Sequence, residues 1–292
     1  MSFLMEEVAS QPECWAKAIE MAAVVGPALP APGERVAVIG CGSSLNVARC
    51  YARLREAAGH GETDAFPASE VLASRRYDRM VFVSRTGTTT EVLDALRRVP
   101  PGVTTTAVAA DPDSPLPRQA DSAVLLDFAD ERSVVSSRFI TSSIVLFRAH
   151  LGADLRALPG KAARELARPL PPGLAEHAEF TFLGRGWAAA VADEAALKLR
   201  EASRTWAESY PAMEYRHGPI SVSDSGTVVW ALGEVPPDLL ADARCTGATV
   251  ITSPADPLAA LIGAQRLAVA LAERKGIDPD QPRALSRSVI LA

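Results

Sequence analysis

The stretch VFVSRTGTTTEVLDAL, residues 81–96, decides the fold of this chain. It begins with an apolar run typical of a buried parallel strand, continues into a glycine loop rich in hydroxyl side chains, and ends in a helical pattern. Comparable strand–glycine loop–helix starts occur at 34–48 and at 180–195, so the unit is present in both halves. Strands that alternate with helices in this way predict an α/β fold with mostly parallel sheets.

The alternation extends along the chain and indicates two domains. Apolar runs predict strands at 34–40, 79–84, 104–110, 122–128, 180–186, 227–233 and 248–253. Helical patterns cover 12–24, 45–59, 136–151, 188–203 and 258–276. Residues 157–173 are rich in proline and charge, so we expect a linker there. The predicted domains are therefore 1–160, which includes an N-terminal helix, and 174–292, which ends in a catalytic tail.

The composition excludes several classes of protein. Of the 292 residues 48% are apolar and 22% are charged, and the formal charge of −5 argues against a nucleic-acid partner. No apolar run reaches the roughly 20 residues of a membrane helix, and the acidic N-terminus is unlike a secretory signal. Four scattered cysteines predict free thiols in a cytoplasmic protein. The four histidines lack the spacing of a zinc site, so we expect neither a metal nor another cofactor.

The glycine loop has the composition of a phosphate-binding turn. Short hydroxyls donate to phosphate oxygens, Gly87 permits close approach of the backbone, and the following helix offers free N–H groups. The hydroxyl side chains are Ser84, Thr86, Thr88, Thr89 and Thr90. The loop is not a Walker motif, and GCGSSL is not a dinucleotide fingerprint because Leu45 replaces its third glycine. The alternative interpretation is a plain helix cap after a strand.

Six motifs in a fixed order resemble the sugar isomerase (SIS) family. They are CGSS (41–44), SRTGTTTE (84–91), ERSVVSSRFITS (131–142), LGRG (183–186), EAALKLREASRTWAESYPAMEYRHGP (194–219) and QPRALSRSV (281–289). The chain is similar to the isomerase half of glucosamine-6-phosphate synthase and its stand-alone relatives. The resemblance implies two SIS domains, each a flavodoxin-like three-layer sandwich with a mostly parallel sheet, and a homodimer.

The resemblance also implies which residues hold a sugar 6-phosphate. Ser84, Arg85, Thr86 and Thr89 match the positions that bind the phosphate. The pocket-lining positions match Ser43, Ser44, Val134 and Ser136. Position 85 departs from the family, which commonly has an uncharged amide there. Arg85 either adds a charge-assisted phosphate contact or points outward, and both alternatives stay open at this point.

Aldose–ketose chemistry explains the residues of the 194–219 motif. Removal of the proton on C2 of the sugar needs a carboxylate base, the enediolate needs a nearby cation, and ring opening needs a group that titrates near neutrality. Lys198 and Glu201 share one helix face. The resemblance makes Glu201 the base, Lys198 its electrostatic partner and His217 the ring-opening residue, supplied to the neighbouring subunit. The plain alternative is a solvated ion pair and a structural histidine. Glu194 and Glu208 are expected to have structural or supporting roles.

Two departures from the family bear on the reaction. No N-terminal cysteine nucleophile or glutamine-hydrolysing segment precedes the motifs, so we expect no glutamine-dependent amination. Arg287, a further candidate catalytic residue, replaces a tail lysine, and because arginine stays protonated it cannot form an imine, although it can still bind the sugar or the phosphate. We expect a phosphosugar isomerase or a deaminase, acting on glucosamine-6-phosphate, N-acetylglucosamine-6-phosphate or fructose-6-phosphate. The alternatives are a lyase that dehydrates an N-acylated sugar phosphate and a non-catalytic sugar-phosphate sensor.

Overall fold

Strands and helices alternate in the computed structural model, which describes residues 2–72, 74–253 and 255–291. The strands are β1 (Val36–Gly40), β2 (Thr63–Pro67), β3 (Arg79–Val83), β4 (Thr104–Ala109), β5 (Ser122–Leu125), β6 (Glu179–Gly184), β7 (Trp206–Pro211), β8 (Thr227–Leu232) and β9 (Thr249–Ser253). The α-helices are α1 (Phe3–Ala9), α2 (Gln11–Val25), α3 (Ser43–Ala57), α4 (Thr90–Arg97), α5 (Pro115–Gln119), α6 (Arg138–His150), α7 (Leu158–Ala167), α8 (Trp187–Ser203), α9 (Pro237–Cys245) and α10 (Pro257–Arg274).

The chain divides into two units, and each terminal segment belongs to the unit that the opposite half of the sequence forms. One, the 10–157 unit, is Ser10–Ala157 with the tail that begins at Leu285, and the other, the 158–284 unit, is Leu158–Ala284 with the segment that ends at Ala9. Hydrogen bonds explain this division. The Asp280 carboxylate accepts from the N–H groups of Phe3 and Leu4 at 2.7 and 2.8 Å. The Thr90 N–H donates to the Val289 carbonyl over 3.1 Å. The predicted ranges 1–160 and 174–292 did not anticipate this exchange, because each end is held by residues distant in sequence.

The sheet of the 10–157 unit is fully parallel. Its strand order is β2-β1-β3-β4-β5, which is the flavodoxin-like order. From β1 the chain first adds β2 on one side and then β3, β4 and β5 on the other, so the topological switch point lies between β1 and β3. Val38 is opposite Ala65 on one side and Val81 on the other. Parallel neighbours end at the same edge, so the loops that follow β1 and β3 meet there.

Apolar residues on both faces of this sheet explain its helical layers. Ala37, Ile39 and Phe82 belong to one buried cluster with Val92 and Leu96 of α4. The alternate residues of β1 and β3 point to the opposite face, against which α3 packs. All five residues of β1 are buried. A strand buried on both faces reads as a continuous apolar run, which is why this strand was predictable.

The 158–284 unit contains a second parallel sheet, in the order β7-β6-β8-β9. Its core cluster includes Leu183, Val229 and Leu239. On the other side, α8 packs against α10. The predicted α/β class with parallel sheets is confirmed.

The predicted linker at 157–173 is wrong in part, because it contains α7. Its Leu158 and Ala162 are buried one turn apart, and the helix packs on α10. Pro159 falls in the first turn, where proline is tolerated, and the later prolines follow the last helical residue. The prolines therefore bracket the helix rather than interrupt it.

Candidate functional site

The loops after β1 and β3 lie at the topological switch point of the 10–157 sheet. Ligands of open parallel α/β sheets bind at this edge, outside the carboxyl ends of the strands. The first loop delivers Ser43 and Ser44 as the opening residues of α3, where both are buried. A Cβ on Gly40 would stand 2.6 Å from the Ser44 carbonyl oxygen, so glycine lets α3 begin directly against the strand end.

Backbone contacts hold the second loop, residues 84–89, from behind. The Ser84 N–H donates to the Val108 carbonyl over 3.0 Å, and the Leu116 N–H donates to the Gly87 carbonyl over 3.1 Å. Gly87 has φ +62, and a Cβ there would lie 2.0 Å from the Ser114 Oγ. Only glycine meets both demands, because other residues are strained at this φ.

The hydroxyl groups of the loop converge on one point, which the C-terminal tail occupies. The Thr88 hydroxyl donates to the Ser288 Oγ over 2.8 Å, and the Thr86 hydroxyl donates to it over 3.2 Å. The Thr89 Oγ1 lies 3.5 Å from the same oxygen and 3.5 Å from the Ser84 Oγ. The structure thus brings together the predicted hydroxyls of this loop and adds a tail residue that sequence reasoning missed.

Arg85 does not join this hydroxyl cluster. Its Nη1 donates to Glu131 Oε2 over 2.9 Å and to the Ser133 carbonyl over 3.1 Å. Its Nη2 donates to the carbonyls of Val134 and Arg287, at 3.1 and 3.3 Å. The side chain is 6% exposed. A buried guanidinium needs a counter-charge, and Glu131 supplies it. The outward orientation considered for Arg85 is therefore wrong, and both Nη atoms are bound by protein acceptors.

Glu131 organises the loop that precedes α6. Its carboxylate accepts from the Ser136 hydroxyl at 2.7 Å and from the Ser137 N–H at 2.5 Å. Burial by itself raises the pKa of Glu131, but Arg85 and the hydrogen bond from Ser136 outweigh burial and keep the pKa below its ordinary value. The predicted pocket residues Val134 and Ser136 are half-buried, and both contact this Arg85–Glu131 pair.

Arg287 lies in the tail, with its side chain turned to an acidic partner. Its Nη2 is 2.5 Å from Asp130 Oδ1, and both side chains are 43% exposed. Its backbone carbonyl, by contrast, accepts from Arg85. The residue that replaces the family lysine is therefore ion-paired through its side chain and anchored through its main chain.

In the 158–284 unit, α8 carries a buried lysine between two carboxylates. Lys198 Nζ is 2.6 Å from Glu201 Oε2 and 3.2 Å from Glu194 Oε1. Burial by itself lowers the pKa of Lys198, but the charges of Glu194 and Glu201 outweigh it, so the pKa lies above its ordinary value. The Glu201 side chain is 20% exposed, whereas Glu194 is 1% exposed. Glu201 is thus the more exposed of the two carboxylates beside Lys198.

The other candidates of the 194–219 motif lie on the following strand and turn. Glu208, on β7, accepts from the Tyr210 hydroxyl at 2.9 Å and from the Trp206 indole at 3.3 Å, which is a structural role. His217 is exposed after a short 3-10 turn, and its N–H donates to the Glu214 carbonyl over 3.0 Å.

The described part of the chain contains neither a candidate metal cluster nor a membrane-spanning helix. No group of three or more His, Cys, Asp or Glu side chains there is placed to hold an ion. None of the helices in those ranges has the length and apolar character needed to cross a bilayer.

Sequence reasoning missed Glu131 and Ser288 and placed Glu194 only in support. Each lies inside a quoted motif, but none had a distinguishing pattern of its own. One signal could have pointed to Glu131: an arginine directly after a buried strand requires an acidic partner if its side chain is buried. Ser288 had no such signal, since its contacts span about 200 residues of sequence.

Comparison with known proteins supports the resemblance. No protein-family model matches the chain. A glutamine–fructose-6-phosphate aminotransferase (isomerizing) from Methanothermobacter thermautotrophicus is 27% identical over 303 residues, covering 88% of this chain and 51% of the relative. The chain thus spans about half the length of the curated relatives it matches.

Solved structures extend this similarity to the whole fold. A crystal structure described as glucosamine-6-phosphate deaminase from Thermotoga maritima is 27% identical, covers 99% of this chain and all of its own, and has a TM-score of 0.86. The tagatose-6-phosphate ketose/aldose isomerase of Escherichia coli has a TM-score of 0.80 over 98% of this chain. At 18% identity the latter shows a shared fold alone.

Proposed function

This chain is a relative of the SIS phosphosugar isomerases, and we propose that it removes the C2 proton of a hexose or hexosamine 6-phosphate. The outcome is aldose–ketose isomerisation or deamination of the glucosamine-6-phosphate type. The observation that carries the proposal is the Lys198–Glu201 pair, a partly exposed carboxylate 2.6 Å from a buried ammonium. The similarity to a structure described as a glucosamine-6-phosphate deaminase supports the hexosamine substrate.

Glu201 and Lys198 have different roles in the proposed proton transfer. Glu201 Oε2 accepts from Lys198, which leaves Oε1 to take the C2 proton as general base. Lys198 stays protonated because its pKa is raised, so it stabilises the negative charge that develops on the enediolate. Glu194 keeps a second carboxylate beside the lysine when Glu201 becomes neutral.

The hydroxyl-rich loop is proposed to bind the 6-phosphate. The hydroxyls of Thr86, Thr88 and Thr89 already converge on one oxygen, that of Ser288. Hydroxyl donors and a helix N-terminus together suit a phosphate group. Ser43 and Ser44 are proposed to contact the sugar, while Arg85 fixes the loop around Val134 rather than touching the phosphate.

The substituent on C2 decides the product. With a hydroxyl on C2, protonation of the enediolate at C1 completes an isomerisation. With an amine, protonation at C1 leaves an imine at C2, and water hydrolyses it to a ketose phosphate and ammonia. With an acylated nitrogen, expulsion of the C3 hydroxyl makes the reaction a dehydration. Arg287 is ion-paired and permanently charged, so none of these routes uses an imine on the tail.

Proton NMR in D₂O tests the proposal and separates these outcomes. Glucosamine-6-phosphate and N-acetylglucosamine-6-phosphate are followed at C2, and fructose-6-phosphate at C1. We expect solvent exchange with at least one of the three, and the product identifies an isomerase, a deaminase or a lyase. Binding of all three sugars without exchange identifies a sensor and overturns the proposal.

The predicted homodimer and cytoplasmic location stay predictions. His217 is proposed to open the sugar ring of the neighbouring subunit, in keeping with its exposed position in a single chain. Sedimentation velocity at several concentrations measures the assembly, and a chain that is monomeric while active contradicts it.

A further inference from the structure

His217, the residue proposed to open the sugar ring, lies on a short turn with its side chain exposed. The 3-10 turn Ala212–Arg216 ends immediately before it, and Gly218 follows with φ +130, a conformation that favours glycine. A proton donor must lie within hydrogen-bond reach of the ring oxygen, and a displacement of about 1 Å can cost roughly 10²-fold in rate. The action of His217 therefore depends on what holds the main chain beside it.

Tyr215 anchors the turn in the core of the 158–284 unit. Its side chain is fully buried and belongs to the cluster that contains Leu183 and Leu239. Its hydroxyl is hydrogen-bonded to the Ser223 Oγ, which follows the turn in sequence. This anchor fixes the depth of the turn, but a single buried side chain does not fix the direction in which the next residues leave it.

Arg216 supplies a second anchor, on helix α9. Its Nε donates to Asp242 Oδ2 over 2.9 Å, and its Nη2 donates to Asp238 Oδ2 over 2.9 Å. The two aspartates are four residues apart on the helix, so they share one face and a single planar guanidinium reaches both. The hydrogen bond from Arg216 holds the pKa of Asp238 below its ordinary value, which keeps this partner ionised at neutral pH.

Helix α9 is a firm point of attachment because its inner face is buried. Leu239 and Ala243, each the residue after one of the aspartates, are both 0% exposed. The helix also contacts the 3-10 turn that carries Arg216. The guanidinium therefore joins the turn to an element that the core already holds in place.

These ion pairs fix geometry more than they stabilise the fold. The side chains of Asp238 and Asp242 are 70% and 53% exposed, and pairs of this kind contribute little to stability because water and salt screen them. A guanidinium bound by two carboxylates nevertheless has few orientations open to it, since each hydrogen bond restricts the plane of the fork. The direction of the main chain at the next residue, His217, is restricted with it.

We propose that Arg216 is a positioning residue, which orients the His217 imidazole toward the ring oxygen of the substrate by fixing the turn to α9. The inference rests on the proposed function, because it takes His217 to be the ring-opening residue. Its consequence is a defect confined to ring opening. The proton transfer at Glu201, which lies on α8, should proceed normally once the sugar is open.

Proton exchange in D₂O is measured for the sugar phosphate that turns over and for its 5-deoxy analogue. The analogue lacks the hydroxyl that closes the ring, so it enters the reaction after ring opening. Arg216→Met should slow exchange of the parent sugar by about 5- to 50-fold, less than the roughly 10²-fold cost of a full 1 Å displacement, and should leave the analogue nearly unchanged. His217→Asn should show the same selectivity with a larger loss. Arg244→Met, at an exposed arginine of the same helix, is the matched control and should slow neither sugar.

The outcomes separate the inference from the proposed function. Equal slowing of both sugars by Arg216→Met overturns the inference, because it shows a structural effect that reaches the base. Unchanged exchange of the parent sugar by this variant, or no exchange of the analogue by the unmodified chain, overturns it as well. In all three cases the proposed function stands as long as the unmodified chain exchanges the parent sugar. If that chain exchanges no sugar phosphate, the proposed function fails, and the inference fails with it.

A double-mutant cycle tests the ion pairs themselves. Replacement of both Asp238 and Asp242 by asparagine should reproduce the selective loss of Arg216→Met. Adding Arg216→Met to that variant should lower the rate no further, because the interaction is already gone. Urea unfolding of all three variants should stay close to that of the unmodified chain, since the pairs are exposed. Losses of rate that add in the combined variant would show that Arg216 does not act through these aspartates.

Discussion

Arg85 Nη1 lies 2.9 Å from Glu131 Oε2, and the two side chains are 6% and 0% exposed. This buried pair joins the loop after β3 to the loop before α6, and it also contacts the main chain of the tail through Arg287. A buried charge without its partner costs far more than an exposed one.

Breaking this pair should destabilise the chain strongly. Arg85→Met leaves the Glu131 carboxylate buried without a cation, so the free energy of unfolding should fall by about 3–5 kcal/mol. Arg97→Met breaks the exposed Arg97–Asp94 pair and should cost less than about 1 kcal/mol. Urea unfolding measures both. Equal losses in the two variants would show that burial of the pair does not matter.

Because of the Glu131 carboxylate, the free energy of unfolding should depend on pH in the acid range. The pKa of Glu131 is lower in the folded chain than in the unfolded chain, so its contribution is present above the ordinary pKa of about 4.3 and is lost as pH falls through the lowered value. Glu131→Gln should therefore lose less free energy of unfolding between pH 7 and pH 3 than the unmodified chain does. The measurement is urea unfolding at both pH values, and parallel losses contradict the assignment.

Substitutions of Glu201 and Lys198 should have different effects, the first mainly on C2 proton exchange and the second on the free energy of unfolding. Glu201→Gln should lower C2 proton exchange by about 10²–10⁴-fold, the usual contribution of a general base, and should hardly change stability because the side chain is partly exposed. Glu208→Gln is the matched control and should keep most of the exchange rate. Lys198→Met leaves Glu194 buried without its cation and should cost about 3–5 kcal/mol in urea unfolding. Full exchange by Glu201→Gln would remove it as the base.

Gly87 should tolerate no side chain. A left-handed φ costs an ordinary residue about 1–3 kcal/mol, which is the whole penalty expected for Gly102→Ala, since a Cβ at Gly102 meets nothing within 4 Å. Gly87→Ala adds a clash with Ser114 and should cost more, with weaker binding of inorganic phosphate. Thermal unfolding and calorimetry measure the two effects. Equal losses in both variants would mean that the loop shifts to relieve the clash.

The local sequence pattern was sufficient to predict most of the helices and strands. The apolar runs at 34–40 and 79–84 became β1 and β3, and the helical pattern at 258–276 became α10. Strand β7 was missed, because as an edge strand it has few apolar residues, with Glu208 and Ser209 near its middle. Proline content at 157–173 hid α7, since composition does not show where each proline falls in a helix.

Of the candidate site, the sequence by itself determined the i,i+3 spacing of Lys198 and Glu201, the hydroxyl-rich turn after β3, and the order of motifs that marks the family. The spacing and the turn depend on neighbours within a few residues, so helical or strand periodicity is enough to place them, and the order of motifs can be read directly along the chain. Only the tertiary structure decided that Arg85 faces Glu131 and that Ser288 sits among the loop threonines. Those contacts join residues 46 and 200 positions apart, and the burial that selects them exists only after the chain has folded.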